Sequence, residues 1–340
     1  MVMVESYPIA VLMCIITMIC WGSWANTQKL ASKEWRFQLF YWDYCLGVLL
    51  LTLIFAFTLG SMGEHGRSFV ADLKQADGKY IGYAILGGVI FNIANILLVA
   101  AIDIAGMSVA FPIGIGLALV IGVFASYREN PANVGNPTLL FIGVACVAAA
   151  IVIDALAYRR IPSAGRQTST KGILLSVLCG VLMSQFFVFV QKSMPKSLEA
   201  INSPEMAGML TPYTALVFFA LGLFVSSFAF NVAVMKKPFV GDPVPLGDYF
   251  TKGNAWLHTV GILGGMIWGV GMSFAILSGD KAGYAISYGL GQGATMVAAL
   301  WGVFIWREFK NAKPGTNGLL ALMFALFIIG LGLIVKANMK

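Results

Sequence analysis

Apolar residues run along this chain in long unbroken blocks, without the alternation of half-buried strands or the polar face of a surface helix. Each block is roughly 18 to 25 residues long, enough to cross a bilayer as a helix rising 1.5 Å per residue. Ten spans are predicted, at 8–28, 38–60, 80–101, 105–126, 137–157, 172–192, 206–234, 256–278, 282–304 and 316–336. The links are short, with the longest between spans 2 and 3 and between spans 7 and 8, and no separate soluble domain is expected. The first block starts near Pro8 with Glu5 as the only charge before it, so a retained span is expected rather than a cleaved signal peptide.

One stretch occurs twice. Ile85, Leu86, Gly87 and Gly88 recur 177 residues later as Ile262, Leu263, Gly264 and Gly265, and Asp103, Ala105 and Gly106 recur as Asp280, Ala282 and Gly283. Small residues then follow at every fourth position: Gly106, Ala110, Gly114, Ala118 and Gly122 in one copy, Gly283, Ser287, Gly291, Thr295 and Ala299 in the other. A spacing of four keeps one helix face, so each copy carries a smooth seam along which another helix can pack. Further echoes are Gln28 and Lys29 with Gln191 and Lys192, Tyr44 with Tyr213, and Arg128 and Glu129 with Arg307 and Glu308. The fold expected is an all-α polytopic membrane protein of ten helices in two five-helix repeats, 1–160 and 161–340. Because five is odd, the second repeat enters the bilayer from the opposite side, an inverted repeat of the kind used by alternating-access transporters.

Composition agrees. The chain is 59% apolar and 11% charged, against roughly 45–50% and about 25% in soluble domains. Its net charge of +7 sits in short loops beside lipid head groups, which does not imply nucleic acid. Thirteen of the 22 Lys and Arg lie in the loops after the odd-numbered spans, so the positive-inside rule puts both termini outside an inner or plasma membrane. Cys14, Cys20, Cys45, Cys146 and Cys179 lack metal or redox spacing and read as small core residues. No cofactor or metal is expected.

Polar groups within apolar spans are costly and usually face a packed or watery interior. Trp21, Trp24 and Gln28 share a helical face that offers a flat polar ligand a stacking wall and an amide; the alternative is an interfacial aromatic belt. Asp43 reads as the one acid well inside a span and as a carrier for a coupling proton, or else as an interfacial acid paired with Arg36 or capping a neighbouring helix. Asn92 and Asn95 lie on one face of span 3 near mid-depth, as substrate ligands or as interhelical glue. Pro112 bends span 4 as a hinge. Gln185 occupies in span 6 roughly the place of the span 1 tryptophans. In span 9, Tyr284, Tyr288, Gln292 and Thr295 form a polar face where span 4 has Met107, Phe111, Ile115 and Ala118, an asymmetry that an asymmetric ligand would require. Asp103 and Asp280 are expected as helix caps, Glu129 and Glu308 as interfacial ion pairs, and His65 and His258 as residues outside or at the edge of spans.

In order and spacing, several of these residues resemble the ureide permeases of the drug/metabolite transporter superfamily over nearly the whole chain. The resemblance is carried by Val4, Glu5 and Ser6; by Gly22, Ser23 and Trp24; by Asp43 and Tyr44 with Leu59 and Gly60; by Gly143 to Cys146; by Ala282 to Ala285; and by Trp301, Gly302 and Glu308. It implies proton-coupled uptake of allantoin, uracil and related oxo-derivatives of nitrogen heterocycles. Two features depart from it: only about fourteen residues, Tyr158 to Lys171, join the halves where plant members have a long hydrophilic loop, and Ala25 and Asn26 follow Trp24 where the family often has proline. Similar patterns occur in the glucose/ribose and rhamnose porters of that superfamily, so a monosaccharide is the alternative substrate and sodium the alternative coupling ion. An enzyme would need a nucleophile and base or a metal set within the spans, and a receptor a soluble domain; neither is visible. The expected partners are a small neutral solute, a coupling cation and the lipid bilayer.

Overall fold

The computed structural model describes residues 1–31, 35–162 and 170–339, with all their side chains except those of Met107 and Ser108. The middle of the expected linker, 163–169, lies outside the described residues. Among the described residues, ten helices are long and apolar enough to cross a membrane: α1 Tyr7–Leu30, α2 Phe37–Phe57, α3 Gly78–Ala105, α4 Phe111–Glu129, α5 Pro137–Tyr158, α6 Thr170–Lys192, α7 Pro212–Lys236, α8 Ala255–Ala282, α9 Tyr284–Ile305 and α10 Thr316–Lys336. No strand occurs among the described residues. The chain is a multi-pass α-helical membrane protein.

Local chemistry fixes the helix starts. Asp77, Asn136, Thr211 and Asn254 each accept a backbone N–H of the first turn of α3, α5, α7 and α8. Pro8, Pro137 and Pro212 stand in first turns, where the missing N–H has no partner to lose. Span 7 starts at Pro212 rather than 206 because the apolar run before it is taken up by the 3-10 turn Pro204–Met206 and by Gly208, whose φ is +81°.

The expected links between spans 3 and 4 and between spans 8 and 9 shrink to one residue each. α3 ends at Ala105 and helix resumes at Met107, with Gly106 at φ +81° between them; α8 ends at Ala282 and α9 begins at Tyr284, with Gly283 at φ +86°. A side chain would strain this left-handed region, so glycine makes the turn. Asp103 and Asp280 therefore sit in the last turns of α3 and α8 rather than capping the helices that follow. Asp280 instead accepts the backbone N–H of Leu198 at 2.9 Å.

Helices cross closely at matching points. A Cβ on Gly88 of α3 would stand 2.0 Å from the Phe219 carbonyl oxygen of α7, and one on Gly265 of α8 would stand 2.0 Å from that of Tyr44 of α2. Likewise Gly47 of α2 meets the Ile262 carbonyl at 2.1 Å, and Gly222 of α7 meets that of Ile85 at 2.3 Å. The same correspondence runs through the packing. α3 lies along α6 and α1 along α8; α4 along α6 and α1 along α9; α2 pairs with α7, α4 with α9, and α5 with α10. Tyr44 and Tyr213 do not correspond in this arrangement: Tyr44 sits at the α2–α8 crossing, whereas Tyr213 begins α7 and donates to the Val2 carbonyl.

Three spans are not continuous α-helix. α1 breaks at Trp24, where Thr27 donates to the Trp24 carbonyl at 2.7 Å and Asn26 to that of Ser23 at 3.0 Å. α4 opens into a π-turn at Phe111–Ile115 around Pro112. α9 breaks at Gln292 and Gly293 and ends in a π-turn, Trp301–Ile305. With no water in hydrocarbon, freed backbone groups need protein partners or a cavity, and side chains supply some of them here.

Gly88→Ala and Gly265→Ala are expected to destabilise the purified protein by about 1–3 kcal/mol through overpacking. Gly82→Ala, whose Cβ would meet nothing within 4 Å, should leave stability unchanged or slightly higher; thermal unfolding in detergent measures all three.

Candidate transport site

Phe91 lies midway along α3 and Trp268 midway along α8, and their ring centroids are 4.3 Å apart. Around them the bundle gathers aromatic rings from six helices. Trp21 of α1 stacks on Trp268 at 5.9 Å and 13°, Tyr44 of α2 tilts against it at 6.3 Å, and Phe219 of α7 stacks on it at 5.9 Å. Phe186 of α6 meets Phe91 edge-on at 5.1 Å, and Trp24, at the α1 break, lies 4.8 Å from Tyr44. Small residues admit these rings: a Cβ on Gly271 would lie 2.6 Å from the Trp21 ring, and one on Gly291 would lie 2.8 Å from it.

Two hydrogen-bond donors in this cluster are buried without a partner among the described residues, the indole N–H of Trp21 and the hydroxyl of Tyr44. Buried polar groups are nearly always paired, so each such group requires an explanation. Both can donate to an uncharged acceptor.

A ladder of rings leads outward from Tyr44. Tyr41 stacks on it at 5.4 Å, and Phe37 follows at 5.0 Å. Phe37 lines a cavity of about 260 Å³ together with Gln28, Arg36, Gln38, Ile96, Val99, Ala100, Asp103 and Asn231. This vestibule opens on the face opposite the chain termini, the face that carries the larger share of Lys and Arg. On the terminal face, Arg67 pairs with the fully buried Asp72 at 2.9 Å and also donates to the carbonyls of Ile201 and Met209. Asp72 in turn accepts the Thr211 N–H at 2.7 Å, so the loops before α3 and α7 are sewn together there.

The expected site residues scatter over these features. Trp21 and Trp24 reach the central cluster, but the α1 break separates them from Gln28, which lines the vestibule. Asn92 is committed to interhelical bonds, donating to Ser226 at 2.7 Å and Ser227 at 3.2 Å and accepting from Tyr41 at 3.0 Å; Asn95 donates to the Tyr41 hydroxyl at 3.3 Å. Both asparagines thus hold α2, α3 and α7 together behind the ring ladder. Tyr288 is fully buried, with its hydroxyl bonded to the Ala118 and Met183 carbonyls at 3.3 Å and its ring seated on Gly122. It fills the α4–α6–α9 junction, and Tyr284 packs on Gly279 and Phe187. The polar stripe of α9 is broken at Gln292, beside the Gly291 that supports Trp21, and the Gln292 side chain has no hydrogen bond among the described residues. Gln185 donates to Ser184 at 2.9 Å.

Asp43 is 1% exposed. Its expected alternative partner, Arg36, turns instead to the Asp242 carbonyl at 2.6 Å. Asp43 accepts from Tyr249 at 2.6 Å and pairs with His258 Nδ1 at 3.0 Å, while the Trp35 ring stands edge-on to His258 at 5.2 Å. Tyr249 lies in the short helix Asp248–Thr251, so the loop before α8 closes over the carboxylate. Burial lifts the Tyr249 hydroxyl well above the usual tyrosine range, and its bond to Asp43 adds to the shift, so it remains a donor. His258 is therefore a partner of Asp43 rather than an isolated residue at a span edge. The pairing joins residues 215 apart, which no local spacing reveals.

Asp43 is not alone as an intramembrane acid. Asp154, in the penultimate turn of α5, is also buried. No grouping of His, Cys, Asp and Glu among the described residues could hold a metal ion.

The ureide permease family model matches residues 40–164 and 157–337. The chain belongs to the ureide permease family. It is 23% identical to Ureide permease 1 of Arabidopsis thaliana, covering 99% of both chains, and 23% identical to Ureide permease 5 of the same plant, covering 98% of this chain and 95% of that one. A stretch of 72 residues is 36% identical to the probable glucose uptake protein GlcU of Staphylococcus aureus, covering 20% of this chain. A crystal structure described only as that of a protein aligns with a TM-score of 0.59 at 16% identity over 95% of each chain, which shows a shared fold. This ureide permease family member is a small-solute transporter of the drug/metabolite transporter type and not an enzyme.

Removing His258 leaves Asp43 with one fewer partner in a buried place, so His258→Ala should destabilise the protein by about 1–3 kcal/mol. Adding Asp43→Asn should recover part of that loss. A double-mutant cycle on thermal or denaturant unfolding reads the coupling, and simple additivity would mean that the pair does not interact.

Proposed function

We propose that this transporter is a proton-coupled importer of a flat, uncharged, carbonyl-bearing heterocycle: a ureide such as allantoin or a nucleobase such as uracil. The observation that carries this reading is the pair of unpartnered donors, Trp21 N–H and Tyr44 O–H, within the central ring cluster. A planar ring stacks on aromatic faces, and its carbonyl oxygens accept from fixed donors. Trp24 and Trp268 extend the stacking wall, Gln292 offers an amide at the α9 break, and Gln28 with Phe37 and Tyr41 leads the solute in from the vestibule. Asn92, Asn95, Tyr284 and Tyr288 hold the helices that carry the site, and Gln185 stands on α6 bonded to its neighbour Ser184. Pro112 supplies a hinge in α4.

Asp43 carries the proton in this reading. It is buried, joined to an imidazole and a phenol, and positioned on α2 immediately before Tyr44 and two residues after Tyr41. Loss or gain of its proton changes the bonds that hold the Asp248–Thr251 loop over the entrance.

The architecture proposed is two inverted five-helix repeats, 1–160 and 161–340, rocking about the Phe91–Trp268 contact. Support comes from the matched crossings of Gly88 with Gly265 and of Gly47 with Gly222, and from the paired glycine turns. Both termini lie outside a plasma or inner membrane, which turns the vestibule toward the Lys- and Arg-rich interior face. A monosaccharide substrate is the second reading, favoured by the similarity to the probable glucose uptake protein. Both solute classes present donors as well as acceptors, so the Gln292 amide and the Tyr44 hydroxyl would serve either, and competition separates them.

Uptake into proteoliposomes tests both readings. Uracil or allantoin should accumulate when the outside is acidic, a protonophore should abolish accumulation, and glucose, ribose and rhamnose should not compete. Sugar competition without competition from heterocycles would favour the second reading. Asp43→Asn should lose gradient-driven accumulation and keep counterflow exchange; accumulation at the wild-type level would remove Asp43 from the coupling role.

A further inference from the structure

On the face that carries the vestibule, the ends of α1 and α9 are fastened to each other. Lys29 pairs with Glu308 at 2.8 Å, Trp306 Nε1 donates to Asn26 Oδ1 at 2.6 Å, and Trp301 Nε1 donates to Ser23 Oγ at 2.9 Å. The chain reverses just after α9 at Arg307, whose φ of +52° is the only positive value among the described non-glycine residues. That turn swings Glu308 back under the helix end, where its N–H bonds to the Gly302 carbonyl and its second oxygen accepts from Tyr158 at 3.0 Å. A Cβ on Gly302 would stand 3.0 Å from that oxygen, so the glycine makes room for the carboxylate. A backbone held this far from its preferred region is retained only when its surroundings enforce it.

Asp154 stands one helical turn before Tyr158 on α5. It is 5% exposed, its Oδ1 has no hydrogen-bond partner among the described residues, and the Tyr158 hydroxyl one turn further on is bonded to Glu308. Among the described residues, few titratable or charged groups stand at this end of α5. Tyr158 comes from its own helix, Glu308 from the turn after α9, and Lys29 from α1, already paired with Glu308. Arg160, at the end of α5, turns to the Pro314 carbonyl at 3.2 Å, with Lys313 in the adjoining turn; α10, packed along α5, has no acid or base before Lys336.

A charged carboxylate left unpaired in such a place is strongly disfavoured, and more so beside a second carboxylate. The closed fastening therefore accommodates Asp154 as the neutral acid. We propose that Asp154 is a proton-binding site coupled to the Lys29–Glu308 fastening: the proton is held while α1 and α9 are joined and is released when they part. On parting, the Asp154 O–H bond breaks, the proton passes to water entering from the vestibule face, and the carboxylate that remains is hydrated. Because the joined form binds the proton more tightly, raising the pH favours parting.

The opposite face has a matching ion pair without this device. Lys192 at the end of α6 meets Glu129 at the end of α4 at 3.3 Å, at positions that echo Lys29 and Glu308. The helix corresponding to α5 there is α10, whose matching segment is wholly apolar. Only one of the two fastenings thus responds to protons. This proposal depends neither on the identity of the solute nor on Asp43.

Hydrogen–deuterium exchange of the full-length protein in nanodiscs tests it, read on peptides covering 301–312 and corrected for the intrinsic pH dependence of exchange. In the wild type these amides should exchange at least about tenfold faster at about pH 8 than at about pH 5. Asp154→Asn, which keeps the shape and cannot release a proton, should stay protected at both values, with the rest of α5 and α10 exchanging as in the wild type. Lys29→Gln should exchange fast at both, and Asp43→Asn should keep the wild-type pH dependence. A wild type without pH dependence, or Asp154→Asn retaining it, would overturn the proposal. So would protection by added sodium at constant pH, which would make the site one for a metal cation.

Discussion

The bundle depends on close backbone contact between helices that have no hydrophobic drive to associate in lipid. At the α3–α7 and α2–α8 crossings the approach is so close that carbonyl oxygens occupy the places where glycine Cβ atoms would be. In a membrane, dispersion and shape rather than water exclusion hold helices together, so the missing side chains at Gly47, Gly88, Gly222 and Gly265 are the interaction itself. These crossings set the spacing at which Phe91 and Trp268 meet, and that meeting gathers the other rings. A solute site built on such contacts is positioned by backbone, which deforms little, while its lining is supplied by large rings with few rotatable bonds.

Much of the architecture was legible in the sequence because one-dimensional patterns carry it. Ten apolar blocks map onto ten helices, and the duplicated segment marks both glycine turns and the crossings that precede them. The candidate site was legible only in part. Trp21 and Trp24 carried a signal, since aromatic and polar residues interrupt an otherwise aliphatic span. Trp268 sat in an equally apolar run and carried none, although its distance from Ile262 and Gly265 matches that of Phe91 from Ile85 and Gly88. The stripe of Tyr284, Tyr288, Gln292 and Thr295 assumes a continuous helix, which α9 is not. Tyr288 faces the seam of Gly122 instead, and Gln292 falls on the break. Asp154 lies within a run of aliphatic neighbours and carries no periodic signal. The pairing of Asp43 with His258 and Tyr249 depends on α2 packing along α8, which no spacing along the chain encodes.

Breaks in α1, α4 and α9 follow the same physical logic. Each exposes backbone polar groups at membrane depth, and the nearby Thr27, Asn26 and Thr295 answer some of them with local side-chain bonds. Because α1 and α9 break on either side of Trp21, the chain there has two directions of freedom that continuous helices would lack. The ring cluster is thereby lined by interrupted spans, whereas α2, α3, α7 and α8 are continuous helices.

The one-residue turns at Gly106 and Gly283 add a mechanical consequence. Consecutive Cα atoms are 3.8 Å apart, so neither turn can stretch. Gly283 pins α9 at the terminal face, while Glu308 hangs from its other end; Gly106 pins α4 at the vestibule face, while Glu129 hangs from the opposite one. Each long helix is thus a lever with a fixed fulcrum and an electrostatic catch at its far tip. Over the 22 residues of α9 the arm is about 33 Å, so a tilt of about 10° carries its tip by about 6 Å, more than an ion pair can span. The two levers point in opposite directions through the membrane, and a small rotation at a glycine is enough to undo a contact on the other side.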